Sequence, residues 1–297
     1  MAKHANSLPD DPKPKKRAGV VVLAIVFVLA ISALAFIGYR MISSSHEDAS
    51  QIPASKSEES IIATTDADLS TEEEEAQYYE KHKGRPKVNP LIAQCFGIDL
   101  RSPIAPADLT GVLFHQASYK YGLVMTTALP DADMERIGST REPRVNREQT
   151  EGEWLDAEAM HLWRVTDATD MDTSIDVGAQ AGTIVRSPVT GTVILVKDYM
   201  LYDQVPDIEI HIQPDGRPDL DVVLIHTTDP LVKAGDRVEA GVTEISHVRD
   251  IAKDLTDVQL AFYTPDGDPG NHTHVQVNDA NYEGYRANKL AGAITAS

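Results

Sequence analysis

Cysteine is almost absent from this sequence of 297 residues, in which Cys95 is the one cysteine. No disulfide can therefore form within the chain, and a structural zinc site built from several thiolates is excluded. A folded domain in this sequence must be stabilised by its apolar core, or by a metal bound through oxygen and nitrogen ligands.

Positive charge is also scarce. The chain has 27 Lys and Arg residues against 46 Asp and Glu residues, which gives a formal net charge of -19 at pH 7. Such an acidic protein repels the phosphates of nucleic acids, so we predict no nucleic-acid partner. The charge does not exclude polymers that carry amino groups.

One long apolar segment, residues 18–38, carries no charge. As a helix rising about 1.5 Å per residue, it spans the roughly 30 Å hydrocarbon core of a bilayer. Basic residues precede it and an acidic stretch follows it, which places the N-terminus in the cytoplasm. A cleaved signal peptide is the alternative, but its apolar region usually has about 7–15 residues. We predict a basic cytoplasmic tail (1–17), a transmembrane helix (18–39), an extracytoplasmic remainder, and hence a single-pass protein of the cell membrane.

The stretch after the apolar segment is acidic and poor in aromatic residues. Between Glu47 and Glu80, eleven Asp or Glu residues accompany one Lys. This composition cannot bury enough apolar surface to fold, so we predict a disordered linker over 40–84. The remaining residues suffice for an N-terminal extension (85–170) and one larger domain (171–297).

Short β-branched runs separated by turn residues characterise the C-terminal segment. Six of them predict strands, at 182–187, 191–196, 208–212, 221–226, 238–240 and 274–277. We therefore predict a mainly β domain, an antiparallel β-sandwich or barrel-like fold.

The extension is less informative. Residues 155–162, between Trp154 and Trp163, have an apolar face that favours a short helix. The extension as a whole is a candidate lid over a binding groove, or a partner site.

The tripeptide His272-Thr273-His274 lies in an apolar, β-branched run. Residues i and i+2 of a strand point to the same face, so both imidazoles can converge on one metal ion or one water molecule. Such pairs are common by chance, so the interpretation depends on the motifs around them.

Three blocks of sequence accompany this pair. The first is Asp172-Thr-Ser-Ile-Asp176, followed by Gly182-Thr-Ile-Val-Arg-Ser-Pro-Val-Thr-Gly-Thr-Val. The second is Leu224-Ile-His226-Thr, followed by Val232-Lys-Ala-Gly-Asp-Arg-Val-Glu-Ala-Gly, and the third is His272-Thr-His274-Val-Gln-Val. In order and spacing they resemble the lysostaphin or LytM-type zinc metallopeptidases, whose duplicated hybrid motif is a β fold. The resemblance covers about a third of the chain.

The resemblance implies a set of site residues. Asp172, Asp176 and His274 would bind Zn²⁺, and His226 and His272 would be the catalytic residues beside a water on the metal. These residue types suit the chemistry, because imidazole and carboxylate ligands leave an open position on zinc and a neighbouring imidazole can hold or move a proton.

The chain departs from the family at the first ligand. The family has a histidine where this chain has Asp172, and a glycine where it has Ser174. A second carboxylate would make the ion less electrophilic and would favour harder metals. His161, His211 and His247 are candidate substitute ligands, although each is better explained as a surface or packing residue.

The function implied by the resemblance is that of a membrane-anchored peptidoglycan endopeptidase, which cleaves cell-wall peptides outside the cytoplasmic membrane. The partner implied is another cell-wall hydrolase or a divisome protein. One alternative is a catalytically degenerate domain that binds the wall or regulates a hydrolase. Another is a biotinyl- or lipoyl-like module, which the segments 182–191 and 232–241 also resemble, but the carrier lysine in its usual Met-Lys setting and the heptads of such modules are missing.

Overall fold

A computed structural model describes residues 80, 83–117, 120–134, 142–163, 171–256 and 258–296. The predicted cytoplasmic tail, the transmembrane helix and nearly all of the linker lie outside the described residues. Within the described ranges, no helix has the length and apolar character needed to span a bilayer.

The described part of the chain is built mainly from strands, which confirms the predicted β class. The strands are β1 (Leu91–Cys95), β2 (Ile98–Arg101), β3 (Gly111–His115), β4 (Met125–Thr126), β5 (Met160–Leu162), β6 (Ser174–Gly178), β7 (Ile184–Arg186), β8 (Gly191–Leu201), β9 (Val205–Pro214), β10 (Leu220–Thr228), β11 (Arg237–Val238), β12 (Glu244–Val248) and β13 (His272–Asp279). Two 3-10 turns, Pro106–Asp108 and Gln259–Phe262, and a short helix α1, Tyr285–Asn288, complete the regular structure there.

The strands form two sheets. The smaller has the order β2-β1-β4, and the larger has the order β11-β8-β9-β10-β13-β6-β3-β5, with β12 pairing with both β10 and β7. The pairings between these strands are antiparallel except for that of β3 with β5. Ile92 and Leu100 of the smaller sheet share one hydrophobic core with residues of the larger sheet, such as Val193 and Ile212.

Strict alternation of side chains gives the larger sheet two different faces. On β13, Val275 and Val277 belong to the core, so His272, His274 and Gln276 lie on the opposite face. The same alternation holds on β6, β3 and the first part of β10, where the core-facing pairs are Ile175 and Val177, Val112 and Phe114, and Val222 and Leu224. The polar residues of these central strands are therefore collected on one face.

The six strands predicted from the sequence are all present, although their ends differ by a few residues. The predicted helix over 155–162 is wrong, because this segment is extended. Leu155 donates a backbone hydrogen bond to Leu91, and Met160 pairs with Leu113 in the parallel β3–β5 ladder. A segment of eight residues has little intrinsic helical stability, so pairing with a neighbouring strand prevails.

The extension and the C-terminal domain are joined in one sheet. β3 and β5 come from the extension, and β3 pairs along its length with β6. The larger sheet thus crosses the boundary that the sequence placed at residue 171.

Candidate metal centre

Three neighbouring strands bring metal-binding side chains to one face of the larger sheet. His274 of β13 lies opposite Asp176 of β6, and Asp176 lies opposite Leu113 of β3. His115 follows Leu113 by two residues and therefore points to the same face. The order β13-β6-β3 thus supplies a histidine from the strand on each side of Asp176.

The carboxylate of Asp176 lies between those two rings. Its Oδ1 is 2.9 Å from Nδ1 of His274 and 3.0 Å from Nε2 of His115. One ligand atom from each residue lies within 4.8 Å of the other two. We call His115, Asp176 and His274 the His–Asp–His cluster.

The electrostatics of the cluster suit a cation. Burial alone would raise the pKa of Asp176, but the Coulombic effect of His115 and His272, with hydrogen bonds from His115 and His274, holds that pKa well below its usual range. Burial lowers the pKa of His274. An ionised carboxylate and a neutral imidazole are the protonation states that bind metal ions.

The ring of His115 is oriented by two neighbours. Its Nδ1 is 3.1 Å from the carbonyl oxygen of Gln116, so a neutral ring that donates to this oxygen carries its lone pair on Nε2, the nitrogen that would bind a metal ion. The hydroxyl of Ser174 lies 3.2 Å from the ring nitrogens and donates to the carbonyl oxygen of His115. Partners of this kind fix the tautomer of a metal-binding histidine. The side chain of His115 is 20% exposed, so solvent reaches the cluster on this side.

His272 lies beside the cluster on the same face of β13. Its Nδ1 is 2.8 Å from the carbonyl oxygen of Gly270, and its Nε2 is 3.6 Å from Oδ2 of Asp176. A carbonyl oxygen can only accept, so Nδ1 carries the proton in a neutral ring and Nε2 carries the lone pair. Gly270 is required here, because its φ is +77° and an added Cβ would lie 2.4 Å from the backbone nitrogen of Ala261.

A β-bulge turns His226 away from the core. β10 pairs Leu224 with Ile210 and Thr227 with Ile208, so it contains one residue more than β9 in this interval. Leu224 belongs to the core, and in a regular strand His226, two residues later, would face the core as well. The extra residue reverses that direction.

His226 consequently meets the histidines of β13. Its ring centroid lies 5.1 Å from that of His272 and 6.2 Å from that of His274. Its φ is +61°, a conformation that costs a residue with a Cβ about 1–2 kcal/mol. Backbone strain of this kind concentrates at functional positions.

The carboxylate of Asp207 holds His226 in this position. Asp207 Oδ2 lies 2.7 Å from Nδ1 of His226 and accepts a hydrogen bond from its backbone N–H at 3.2 Å. The hydroxyl of Tyr199 donates to the same oxygen at 2.8 Å, and the backbone N–H of Ile208 donates to Oδ1 at 2.9 Å. Burial alone would raise the pKa of Asp207, but these hydrogen bonds lower it, whereas burial lowers the pKa of His226.

The donors of the His–Asp–His cluster fit zinc. Zinc binds imidazole nitrogen and carboxylate oxygen at about 2.0–2.2 Å in tetrahedral geometry, which sets donor atoms about 3–3.5 Å apart. The separations of 2.9 and 3.0 Å around Asp176 are close to this. Three protein ligands that leave a fourth position open are typical of catalytic rather than structural zinc sites.

Asp172, the predicted first ligand, is not brought into the cluster. Its two carboxylate oxygens accept hydrogen bonds from Nδ1 of His161 at 3.0 Å and from Nε1 of Trp163 at 2.8 Å. The chain between Asp172 and Asp176 leads into the extended strand β6, where four residues correspond to about 13 Å. The carboxylate of Asp172 is thus engaged away from Asp176, and His115 is the third candidate ligand of the cluster.

The three histidines considered as substitute ligands lie outside the cluster. His161 is held by Asp172. His211 is buried between Asp221 and Glu209, with ring nitrogens 2.8 and 3.1 Å from their carboxylates. His247 lies on β12, and its backbone position pairs with residues of β7 and β10.

His115 and Asp207 were not predicted from the sequence. His115 ends the apolar run Gly111–Phe114, and this position at the end of a buried strand was the available signal. Asp207 gives no such signal, because its role depends on the bulge that aligns it with His226.

No known family model and no curated protein matches the chain. Similar solved structures include a mutant of the catalytic domain of the prophage-encoded M23 protein EnpA from Enterococcus faecalis, with 20% identity, a TM-score of 0.27, and coverage of 41% of this chain and 85% of that one. A zinc-containing peptidase from Vibrio cholerae is 20% identical, with a TM-score of 0.25 and coverage of 39% and 30%.

Csd3 from Helicobacter pylori is 16% identical, with a TM-score of 0.26 and coverage of 68% of this chain and 43% of that one. The chain thus spans less than half the length of the Vibrio and Helicobacter proteins. Identities and TM-scores in this range assign neither a family nor an activity to the chain.

Proposed function

We propose that this protein is a zinc-dependent hydrolase that cleaves peptide bonds of peptidoglycan outside the cytoplasmic membrane, to which its N-terminal apolar segment anchors it. The observation that carries the proposal is the His–Asp–His cluster, in which three donors meet beside two further histidines on one face of the sheet, with His115 20% exposed. A purely structural site would not require His226 and His272 next to it.

The surrounding residues suit hydrolysis of an amide. Zinc at the cluster would lower the pKa of a bound water toward about 7 and polarise a carbonyl oxygen. His226 and His272 each have Nδ1 engaged, by Asp207 and by the carbonyl of Gly270, so each presents Nε2 as a proton acceptor. Such a group accepts a proton from water and returns it to the leaving amine.

The substrate class is inferred from the sequence. The residues of the three motif blocks that resemble lysostaphin or LytM-type peptidases include Asp176, His226, His272 and His274, and these four meet in the fold. The predicted extracytoplasmic location gives such a site access to the cell wall.

A non-catalytic wall-binding module is the competing function. It is favoured by the missing ligand histidine at position 172, but His115 lies beside Asp176 and can serve as the third ligand. A complete donor set with oriented neighbouring histidines favours an enzyme.

The test is the release of soluble peptides from purified cell walls by the full chain in detergent micelles, detected by mass spectrometry. We expect release by the zinc-loaded wild type, and loss of release with zinc retained in His226→Ala and His272→Ala. The matched control is His247→Ala, which removes a histidine of the same sheet outside the cluster and is expected to leave release unchanged. Absence of release by zinc-loaded wild type would contradict the proposed activity.

A further inference from the structure

Asp207 is a buried carboxylate whose surroundings consist of hydrogen-bond donors. The residue is 3% exposed and receives four of them: the hydroxyl of Tyr199, the backbone N–H groups of His226 and Ile208, and Nδ1 of His226. Among the described residues, the only basic group within ion-pair distance of it is the ring of His226. Burying a carboxylate without a permanently charged partner is costly, and the hydrogen bonds to these donors offset that cost.

The geometry of these bonds determines which nitrogen of His226 carries the proton. An ionised carboxylate can only accept hydrogen bonds, so the nitrogen 2.7 Å from it must be Nδ1–H. Nε2 is then the lone-pair nitrogen of the neutral ring. The same carboxylate oxygen also accepts from the backbone N–H of His226, whose φ of +61° would otherwise be unfavourable.

His272 provides an internal comparison. Its Nδ1 is bound to the neutral carbonyl oxygen of Gly270, so it has the same tautomer without a charged partner at Nδ1. Of the two histidines beside the cluster, His226 alone has a carboxylate bonded to its Nδ1, which leaves Nε2 free to take up a proton. The carboxylate near His272 is that of Asp176, a candidate metal ligand, and it lies 3.6 Å from Nε2 of His272.

We propose that Asp207 is the positioning residue of the site, which holds His226 as its Nδ1–H tautomer with Nε2 toward the His–Asp–His cluster, and that His226 is the histidine that takes up the proton. This inference rests on the proposed function. In the step it describes, an O–H bond of water breaks, its proton bonds to Nε2 of His226, and the oxygen adds to the amide carbon. The proton later passes to the leaving nitrogen as the C–N bond breaks, and the carboxylate stays ionised throughout.

The first test reads the tautomer directly, without substrate or added metal. The full chain with ¹⁵N-labelled histidine rings is studied in detergent micelles by long-range ¹H–¹⁵N spectra at neutral pH, and the signals of His226 are assigned by their loss in His226→Gln. We expect the Nδ1–H tautomer in the wild type. The Nε2–H tautomer in the wild type would overturn the proposal.

The second test uses Asp207→Asn. The amide can donate from the position of Oδ2, so we expect the Nε2–H tautomer to appear and kcat on cell walls to fall at least about tenfold with KM unchanged. The matched control is Asp221→Asn, which removes a buried carboxylate bonded to His211 on the same two strands. It is expected to destabilise the fold but to leave the His226 tautomer unchanged.

A folded Asp207→Asn protein that keeps the Nδ1–H tautomer and the wild-type kcat would overturn the proposal. If the wild type releases no peptides at all, the proposed function fails, whereas a tautomer change in Asp207→Asn would still support the relationship between Asp207 and His226. The two failures are therefore distinguishable.

Discussion

Oδ1 of Asp176 lies 3.0 Å from Nε2 of His115, although the sequence assigns these residues to different segments, the C-terminal domain and its N-terminal extension. The contact exists because β3 of the extension pairs with β6. The extension is therefore part of the candidate site, since it supplies one of the three candidate ligands. Its predicted role as a lid stays a prediction.

Gly270 is expected to be the least replaceable glycine beside the site. An added Cβ would meet the backbone of Ala261, in addition to the strain of its positive φ, so Gly270→Ala is expected to cost more than about 2 kcal/mol. Gly182→Ala is the matched control, because Gly182 has a similar φ of +82° and nothing within 4 Å of the added Cβ. Urea unfolding of both variants checks this, and equal losses of stability would show that the contact with Ala261 is unimportant.

His211 is expected to make stability depend on pH in the alkaline range. Burial alone would lower the pKa of His211, but Asp221 and Glu209 raise it to about 9. The protonated ring of His211 therefore stabilises the fold in full below about pH 6.5, the ordinary pKa of histidine. This contribution to the free energy of unfolding, at most about 3 kcal/mol, is lost as the pH rises through about 9. Free energies of unfolding at pH 6 and pH 9.5 test this, with His211→Gln expected to flatten the difference. A wild type equally stable at both values would contradict it.

Cys95 is expected to be unreactive in the folded protein. Burial raises its pKa to about 12, and its Sγ contacts the carbonyl oxygen of Val124 at 3.4 Å. Because the thiolate is the nucleophile, alkylation by iodoacetamide at pH 8 should be about 10³-fold slower than in the urea-unfolded chain. Labelling at similar rates in both states would show that the β1 region opens readily.

Much of the fold could be predicted from the sequence, since strands such as β8, β9, β10 and β13 have the β-branched composition that half-buried strands require. The strands of the extension could not be predicted in this way. β5 is three residues long and forms only through pairing with β3, so a helical pattern in its sequence was misleading. Local composition cannot reveal a strand that is stabilised by a distant partner.

The candidate site was predicted only in part, for a similar reason. His272 and His274 share a face of one strand, and that spacing is visible in the sequence. The direction of His226 depends on a bulge in β10, and the contribution of His115 depends on the pairing of β3 with β6. Asp172 was assigned by its position in a motif, whereas in the fold its carboxylate is taken up by His161 and Trp163.

The most direct measurement is the zinc content of the purified full chain, determined by elemental analysis after gel filtration in detergent, for the wild type, His115→Ala and Asp172→Asn. We expect about one zinc per wild-type chain and per Asp172→Asn chain, because an amide at that position can still accept the hydrogen bond from Trp163. We expect a loss of zinc in His115→Ala, because removing one of three ligands weakens binding strongly. Zinc retained by His115→Ala but lost from Asp172→Asn would contradict the account of the metal centre.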